Sequence, residues 1–439
     1  MSKPITSHYE VETIYPETCQ TLDEVVRAGA RRMLIVALEA EVETYIEQNA
    51  DLRDENGHAL VVRNGKAQKR TVHCGVGSLK IRAPRVRDKR PGQHFWSTIL
   101  PPYLRRAPQL ESALPILYLR GLSTGDFRPA LAALLGEEAV TGFSATTINR
   151  LLTVWQDEYR GWHKRSLNGQ EYVYIWADGV HFNVRLEDDR LACLVVIGVT
   201  PDGRKELVAL EDGYRESTES WLTLLRDLKR RGMPAPKLAV ADGSLGFWKA
   251  LRQVYPTTGE QRCWVHKIAN VLDKLPKRLQ PRAKAQLHEI MRAPDLQTAL
   301  EEVGRFVAEF EDRYQKATHT LAKDQEKLFT FFHYPAAHWI HLRTTNAIES
   351  TFATVKARTR TTKGAGSRQA GLAMAFKLLL EAEQHWRRLN SSHLVALVHA
   401  GVKFPDGKTR ILPGAPEQAE QAVLKVQEDA ALLTSIHNI

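Results

Sequence analysis

Cysteine is scarce in this sequence and long hydrophobic runs are missing. Its 439 residues include four cysteines, Cys19, Cys74, Cys193 and Cys263. They lie too far apart for a disulfide framework and fit a reducing compartment. No run of 18 apolar residues exists, so no membrane-spanning helix is expected. The segment from Met1 to Cys19 is polar and acidic, unlike a signal peptide. Internal repeats and low-complexity tracts are absent. These absences predict a soluble cytoplasmic protein with no membrane partner.

What is present points to a folded, basic chain. Hydrophobic residues make up 43% and charged residues 26%, which are globular values, and the length predicts two to four domains. Lys and Arg outnumber Asp and Glu by 61 to 51, for a net charge of +10, which favours a polyanionic partner. The excess is concentrated: from Arg63 to Arg90 there are ten Lys or Arg residues and one acid, Asp88.

Apolar residues between Leu22 and Gln48 recur close to a 3.6-residue period and predict one long amphipathic helix. The stretch Lys69 to Arg85 alternates around Gly75, Gly77 and Ser78, as a hairpin does, and places Lys69, Arg70, Lys80, Arg82, Arg85 and Arg87 as candidate phosphate contacts. Helices are expected near Gln109 to Leu119, near Asp126 to Leu135, and from an N-cap at Ser144 past Trp155. The last two suit a helix-turn-helix with Arg150 on the recognition helix, although the connection Gly136 to Phe143 is longer than usual. The basic stretch Trp162 to Gly169 reads as a linker.

After it the pattern changes to short apolar runs. Strands are expected at Tyr172 to Ala177, ending at Asp178-Gly179, at Leu191 to Val199, at Lys205 to Leu210, at Lys237 to Ala241, ending at Asp242-Gly243, and at Gln261 to Val265. Helices at Ser220 to Arg231 and Leu245 to Val254 separate them. Three antiparallel strands, a crossover helix and a further strand beside the first make a ribonuclease H-like order within an α/β fold, a mixed sheet flanked by helices. From Lys267 to about Tyr334 the sequence is helical and charged, as an all-helical insertion would be. A long helix carrying Glu349 follows, then another over Ala370 to Leu380, and a tail with a last helix.

Two strands ending in Asp-Gly matter because ligands and metals collect at the carboxyl ends of strands in α/β sheets. Each pair also has a plain reading as a turn, and Asn346 with Glu349 three residues later resembles a capping box. The arrangement argues for more: an Asp on the first strand, an Asp after the fourth and a Glu on a later helix converge on one point. Three carboxylates suit divalent magnesium, with manganese able to substitute, because hard cations prefer oxygen ligands. Such a site performs two-metal, in-line phosphodiester displacement.

The segments Trp176-Ala-Asp-Gly-Val, Asp202-Gly-Arg-Lys-Glu-Leu, Gly213-Tyr-Arg-Glu-Ser-Thr-Glu-Ser-Trp221, Val240-Ala-Asp-Gly, Gln261-Arg-Cys-Trp-Val-His-Lys and Leu342-Arg-Thr-Thr-Asn-Ala-Ile-Glu349 resemble the mutator-type transposases of bacterial insertion sequences, along nearly the whole chain. The resemblance implies Asp178, Asp242 and Glu349 as catalytic and metal-binding residues of a DDE site. Asp178 to Asp242 is 64 residues and Asp242 to Glu349 is 107, the latter long enough for a helical insertion. It also implies magnesium-dependent 3′-end cleavage and strand transfer on double-stranded DNA with inverted terminal repeats, often through a circular intermediate, in the bacterial cytoplasm at the nucleoid. Synapsis of two ends implies at least a homodimer, with Leu22 to Gln48 as a candidate contact.

On this reading residues 1–105 are an N-terminal helix and basic hairpin, 106–169 a helical DNA-binding domain and linker, 170–266 and 341–395 the two parts of the core, 267–340 the insertion and 396–439 the tail. Cys263 and His266 form a Cys-x-x-His element. It is expected to be structural and near the site, though pairing with His338 and His341 would make a zinc set. Lys356, Arg358, Arg360 and Lys363 follow Glu349 as candidate phosphate contacts. A nuclease that joins nothing, and a catalytically silent DNA-binding repressor, are the competing readings.

Overall fold

A computed structural model describes residues 21–107, isolated helical positions between 116 and 133, and residues 145–182, 191–213, 217–243, 245–361 and 367–408. The helices expected near Gln109 to Leu119 and Asp126 to Leu135 lie outside the described residues apart from those isolated positions. Ser144, Lys363 and the last helix of the tail lie outside them altogether. Contacts divide the chain once, into Met1–Leu151 and Leu152–Ile439.

The first unit opens with α1 (Leu22–Gln48), whose start is set by Thr21 and Glu24 in a reciprocal capping box. Four short strands follow: β1 (Val61–Lys66), β2 (Arg70–Cys74), β3 (Gly77–Ile81) and β4 (Pro84–Asp88). The single hairpin expected from the sequence is the inner of two antiparallel pairs. β2 and β3 pair from Arg70↔Ile81 to Cys74↔Gly77, while β1 pairs with β4 from Val61↔Asp88. Gly77 closes the inner turn at φ +105°, a conformation glycine adopts without a Cβ clash.

Leu38 of α1 packs with Val72, Leu79, Ile81 and Leu100 as a small core, with Ala30 and Leu34 partly buried against it; Val42, one turn on, is buried too. Each such side chain contributes about 1.5–3 kcal/mol when fully buried. The single apolar stripe expected on α1 is a correction: Leu34, Leu38 and Val42 turn inward, whereas Leu22, Val26 and Met33 are exposed.

The second unit is built on a five-stranded mixed sheet of order β7-β6-β5-β8-β9: β5 (Tyr174–Phe182), β6 (Leu191–Val199), β7 (Lys205–Gly213), β8 (Leu238–Ala241) and β9 (Gly259–Arg262). β5, β6 and β7 are antiparallel neighbours, and β8 and β9 run parallel to β5 and β8 respectively. Ahead of the sheet, α2 (Ala145–His163) anchors Tyr159, whose hydroxyl donates to the Leu210 carbonyl at 2.8 Å.

Between β7 and β8 runs α3 (Thr218–Arg230), capped by the Ser217 hydroxyl, and between β8 and β9 runs α4 (Leu245–Val254). Trp221, Leu225 and Leu228 of α3 with Phe247, Trp248 and Leu251 of α4 bury one face of the sheet over Ile175, Ala177, Leu194, Val196, Ala239 and Ala241.

Helices α5 (Trp264–Leu272), α6 (Gln280–Arg292) and α7 (Leu296–Ala322) follow, and residues 264–342 contain no strand. The strand expected over Gln261 to Val265 is therefore shorter: β9 stops at Arg262 and Trp264 opens a helix. Next come α8 (Asn346–Thr361), which packs on β5, α9 (Arg368–Glu383), which packs on β6 and β7, and α10 (His393–His399). The outer edge of β7 is covered: the Leu207 amide donates to Glu383 Oε1 at 2.7 Å, and Arg165 donates to the Leu207 and Val208 carbonyls. The fold is α/β, a mixed sheet flanked by helices.

Candidate active site

The two aspartates occupy equivalent places on neighbouring parallel strands. Ala177 is the register partner of Ala241, so Asp178 and Asp242 are each the next residue. Ile175, Ala177, Ala239 and Ala241 belong to the core under α3 and α4. Side chains alternate along a strand, so Asp178 and Asp242 point to the opposite face, with Tyr174, Trp176 and Val240. That is where the Trp176 indole donates to the His341 carbonyl at 3.2 Å and the Tyr174 hydroxyl meets His338 Nδ1 at 2.9 Å.

Asp178-Gly179 is not a turn. β5 continues to Phe182, paired with β6 as Asp178↔Val195 and Gly179↔Leu194, and the Gly179 amide donates to Asp178 Oδ1 at 2.8 Å. Asp242-Gly243 does end its strand. A Cβ on Gly243 would stand 2.3 Å from the Arg262 guanidinium, which is itself paired with Asp324 at 2.7 Å. The glycine beside Asp242 thus makes room for a buried arginine.

Glu349 lies in the first turn of α8. The capping-box reading does not describe it: the Asn346 amide turns to the Thr344 hydroxyl at 3.4 Å, while Glu349 Oε1 accepts the Thr345 hydroxyl. Thr345 is fully buried, and its amide and hydroxyl lie 3.3 and 3.2 Å from the Cys263 sulfur. The Trp264 amide donates to the Arg343 carbonyl at 2.9 Å, drawing the start of α5 to the start of α8. Cys263, His266 and Glu349 are consequently the group of potential ligands among the described residues whose donor atoms all lie within 4.8 Å of one another, and Asp178 and Asp242 stand outside it.

His266 Nδ1 is buried, makes no well-aligned hydrogen bond and sits 3.8 Å from Glu349 Oε1. Its pKa is raised to about 9, first by the Cys263 side chain and further by the Glu349 and Asp242 carboxylates, against burial, which lowers it. At neutral pH a positive imidazolium therefore stands within the field of both carboxylates.

The zinc set that joined Cys263 and His266 to His338 and His341 is not assembled. His338 is fully buried, with Nδ1 on Tyr174 and Nε2 3.3 Å from the Ser391 carbonyl, so both ring nitrogens are engaged. Burial pushes its pKa down to about 4. Trp221, Trp248 and Trp264 are all buried, Trp248 donating to the Asp242 carbonyl at 2.9 Å.

The candidate phosphate contacts separate by exposure. Lys69, Lys80, Arg82, Arg85, Arg87, Arg150 and Lys356 are exposed. Arg70 is half-buried and donates to the Leu100 and Pro101 carbonyls, a structural engagement. Arg358 is 4% exposed and faces inward, because its place on α8 is turned to the core. The side chain of Arg360 lies outside the described residues. Thr345 and Arg262 were not singled out from the sequence. Thr345 stands four residues before Glu349, a spacing that places two side chains of a helix start together. For Arg262 the signal lay only in its neighbour Cys263.

The family model described as Transposase, Mutator family, matches residues 4–389. The chain is 56% identical over 299 residues to the transposase for insertion sequence element IS6120 of Mycolicibacterium smegmatis, covering 68% of this chain and 92% of that protein. It is 48% identical to the transposase for insertion sequence element IST2 of Acidithiobacillus ferrooxidans, over 63% of this chain and 94% of that one. A more distant similarity, 26% over 78% of this chain and 86% of the relative, is to the transposase for insertion sequence element IS256 in transposon Tn4001 of Staphylococcus aureus.

Proposed function

Because the chain belongs to the Mutator family of transposases, we propose that it binds the inverted terminal repeats of an insertion sequence and catalyses 3′-end cleavage and strand transfer. The observation that carries this reading is the matched placement of Asp178 and Asp242 on adjacent parallel strands, on the sheet face over which α8 carries Glu349. In this reading β5 to β9 with α8 and α9 form a ribonuclease H-like core, residues 267–340 are a helical insertion, and the domain boundaries are those given by the sequence. The enzyme is then of the DDE type.

The chemistry of the donors supports a hard divalent cation: Asp178 and Asp242 at the strand ends and Glu349 on α8 offer carboxylate oxygens, and His266 lies in the field of Glu349 and Asp242. Asp178, Asp242 and Glu349 would hold magnesium, or manganese in its place. Held there, such ions would supply activation of the attacking hydroxyl and stabilisation of the leaving oxygen. Thr345 orients the Glu349 carboxylate through its hydroxyl, and the buried aromatic layer of Tyr174 and Trp176 keeps the strand that bears Asp178 rigid. Exposed Arg85, Arg87 and their neighbours position the DNA backbone. Two chains bring two DNA ends together, which makes the working form a homodimer.

A crystal structure with Mn²⁺ soaked in, together with strand-joining assays on terminal-repeat DNA, tests the reading. Asp178, Asp242 and Glu349 are expected to share one or two ions, and alanine at any of them to abolish cleavage and joining while DNA binding survives. Cleavage without joining would identify a nuclease. Binding without either would identify a repressor.

A further inference from the structure

The fold brings a sulfur, an imidazole nitrogen and a carboxylate oxygen together beside the sheet. Cys263 is fully buried at the N-cap of α5, where its side chain makes no capping bond. One turn of the same helix sets His266 beside it, and the first turn of α8 brings in Glu349, so that the three donor atoms lie within 4.8 Å of one another. Ligand atoms around one tetrahedral zinc ion stand roughly 3.3–3.5 Å apart. The 3.8 Å between His266 Nδ1 and Glu349 Oε1 is already close to that spacing.

The surroundings hold the donors in place. The Cys263 amide donates to the Ala241 carbonyl at 2.8 Å, and the next amide, of Trp264, donates to the Arg343 carbonyl at 2.9 Å, which pins the sulfur between the end of β8 and the approach to α8. Fully buried Thr345 reaches two of the donors, with its hydroxyl 3.2 Å from the Cys263 sulfur and also donating to Glu349 Oε1. Hydrogen bonds of this kind orient metal ligands. His266 Nδ1 is buried and makes no aligned hydrogen bond, a cost that an ion taken up by this nitrogen removes. The His266 and Glu349 side chains are 38% and 35% exposed, which leaves the outer side open to a water as fourth ligand.

We propose that Cys263, His266 and Glu349 form a binding site for a thiophilic divalent cation, zinc above all, which competes with the three-carboxylate site for Glu349. Sulfur, imidazole and carboxylate together suit zinc and are a poor set for magnesium, which takes oxygen ligands. Glu349 thus takes the place that the sequence gave to His338 and His341. Asp178 and Asp242 stand outside the set, so zinc held there draws Glu349 away from them and opposes the magnesium-dependent chemistry. The competition rests on the carboxylate reading of the proposed function, whereas the zinc site itself does not.

The full chain is titrated with Co²⁺ as a spectroscopic stand-in, and zinc affinity is read by displacement of the cobalt. One ion per chain is expected, with a sulfur-to-cobalt charge-transfer band. Cys263→Ser is expected to remove the band and to weaken zinc binding by roughly a hundredfold or more, and Glu349→Gln to keep the band but weaken zinc by about tenfold or more. His266→Gln, at a half-exposed position, serves as the ligand variant if Cys263→Ser does not fold, with the same loss of affinity expected. Asp178→Asn should bind zinc as the wild type does. Excess Mn²⁺ should weaken zinc binding to the wild type and not to Asp178→Asn. A wild type without the band, or a band that survives in Cys263→Ser, overturns the zinc site. If Glu349→Gln weakens zinc and Mn²⁺ does not, the zinc site stands and the carboxylate reading falls instead.

Discussion

The two sheet regions use opposite means to present charge. In the second unit β5, β6 and β8 are almost completely buried, one face under α3 and α4 and the other under α8 and α9. The two strand-end carboxylates Asp178 and Asp242 stand where the parallel pairing of β5 with β8 stops. In the first unit the paired strands have one core face, and Lys80, Arg82, Arg85 and Arg87 project from the rest. A doubly covered sheet holds a few carboxylates at fixed positions, which chemistry requires. A thin, one-sided sheet spreads positive charge over a surface, which suits a long polyanion.

The sharpest way to break this comparison is to remove each charge separately. Asp242→Asn is expected to lower strand transfer by about a thousandfold or more while DNA affinity is unchanged. Arg85→Ala with Arg87→Ala is expected to do the reverse: the slope of log affinity against log salt falls by about 2, and turnover at saturating DNA survives. If both variants lose binding and chemistry together, the division of labour is wrong.

The two cores differ in size, and substitutions should report on them one at a time. Leu225→Ala, beneath the large sheet, and Ile81→Ala, in the small one, each remove a fully buried side chain and are expected to cost about 2–5 kcal/mol. Calorimetry should show each lowering a different transition, and a common shift of a single transition would show that the units unfold together.

A smaller effect comes from His338. Its folded pKa of about 4 lies below the ordinary 6.5, so the unfolded chain binds the extra proton. The stability it contributes is complete above about pH 6.5 and is lost as pH falls towards 4, by at most about 3 kcal/mol. Melting curves of His338→Gln should lose that part of the acid slope, and an unchanged slope would assign it to other groups.

Thr345→Val should give the smallest change, roughly a tenfold loss of activity with a raised Mn²⁺ requirement, because one hydrogen bond to Glu349 is removed. Thr345→Ser should restore both, and a Val variant with normal metal dependence would make Thr345 merely structural.

Much of the fold was legible because its signals are local. The periodicity of α1 gave Leu22–Gln48, and the apolar pattern gave β6 as Leu191–Val199 and α4 as Leu245–Val254. Both Asp-Gly pairs were read as strand ends, and this holds for Asp242 only. At Asp178 pairing with β6 carries the strand on to Phe182, since a ladder of hydrogen bonds with a neighbour outweighs the local turn preference. The helical start at Trp264 was masked by an apolar run too short to show its period.

Chemical identity of the candidate residues was thus determined by the sequence: two Asp-Gly pairs, a Cys-x-x-His element and a glutamate at a helix start, in an order and spacing that resemble one family. Which atoms meet was decided by tertiary structure. Glu349 accepts from Thr345 and lies beside His266 instead of capping the Asn346 amide, Arg358 turns inward, and His338 is taken up by Tyr174. On α1 the apolar residues divide between an inner and an outer face. One-dimensional periodicity shows that a helix has apolar sides, but only the packing of a neighbouring sheet against one of them determines which side is left exposed.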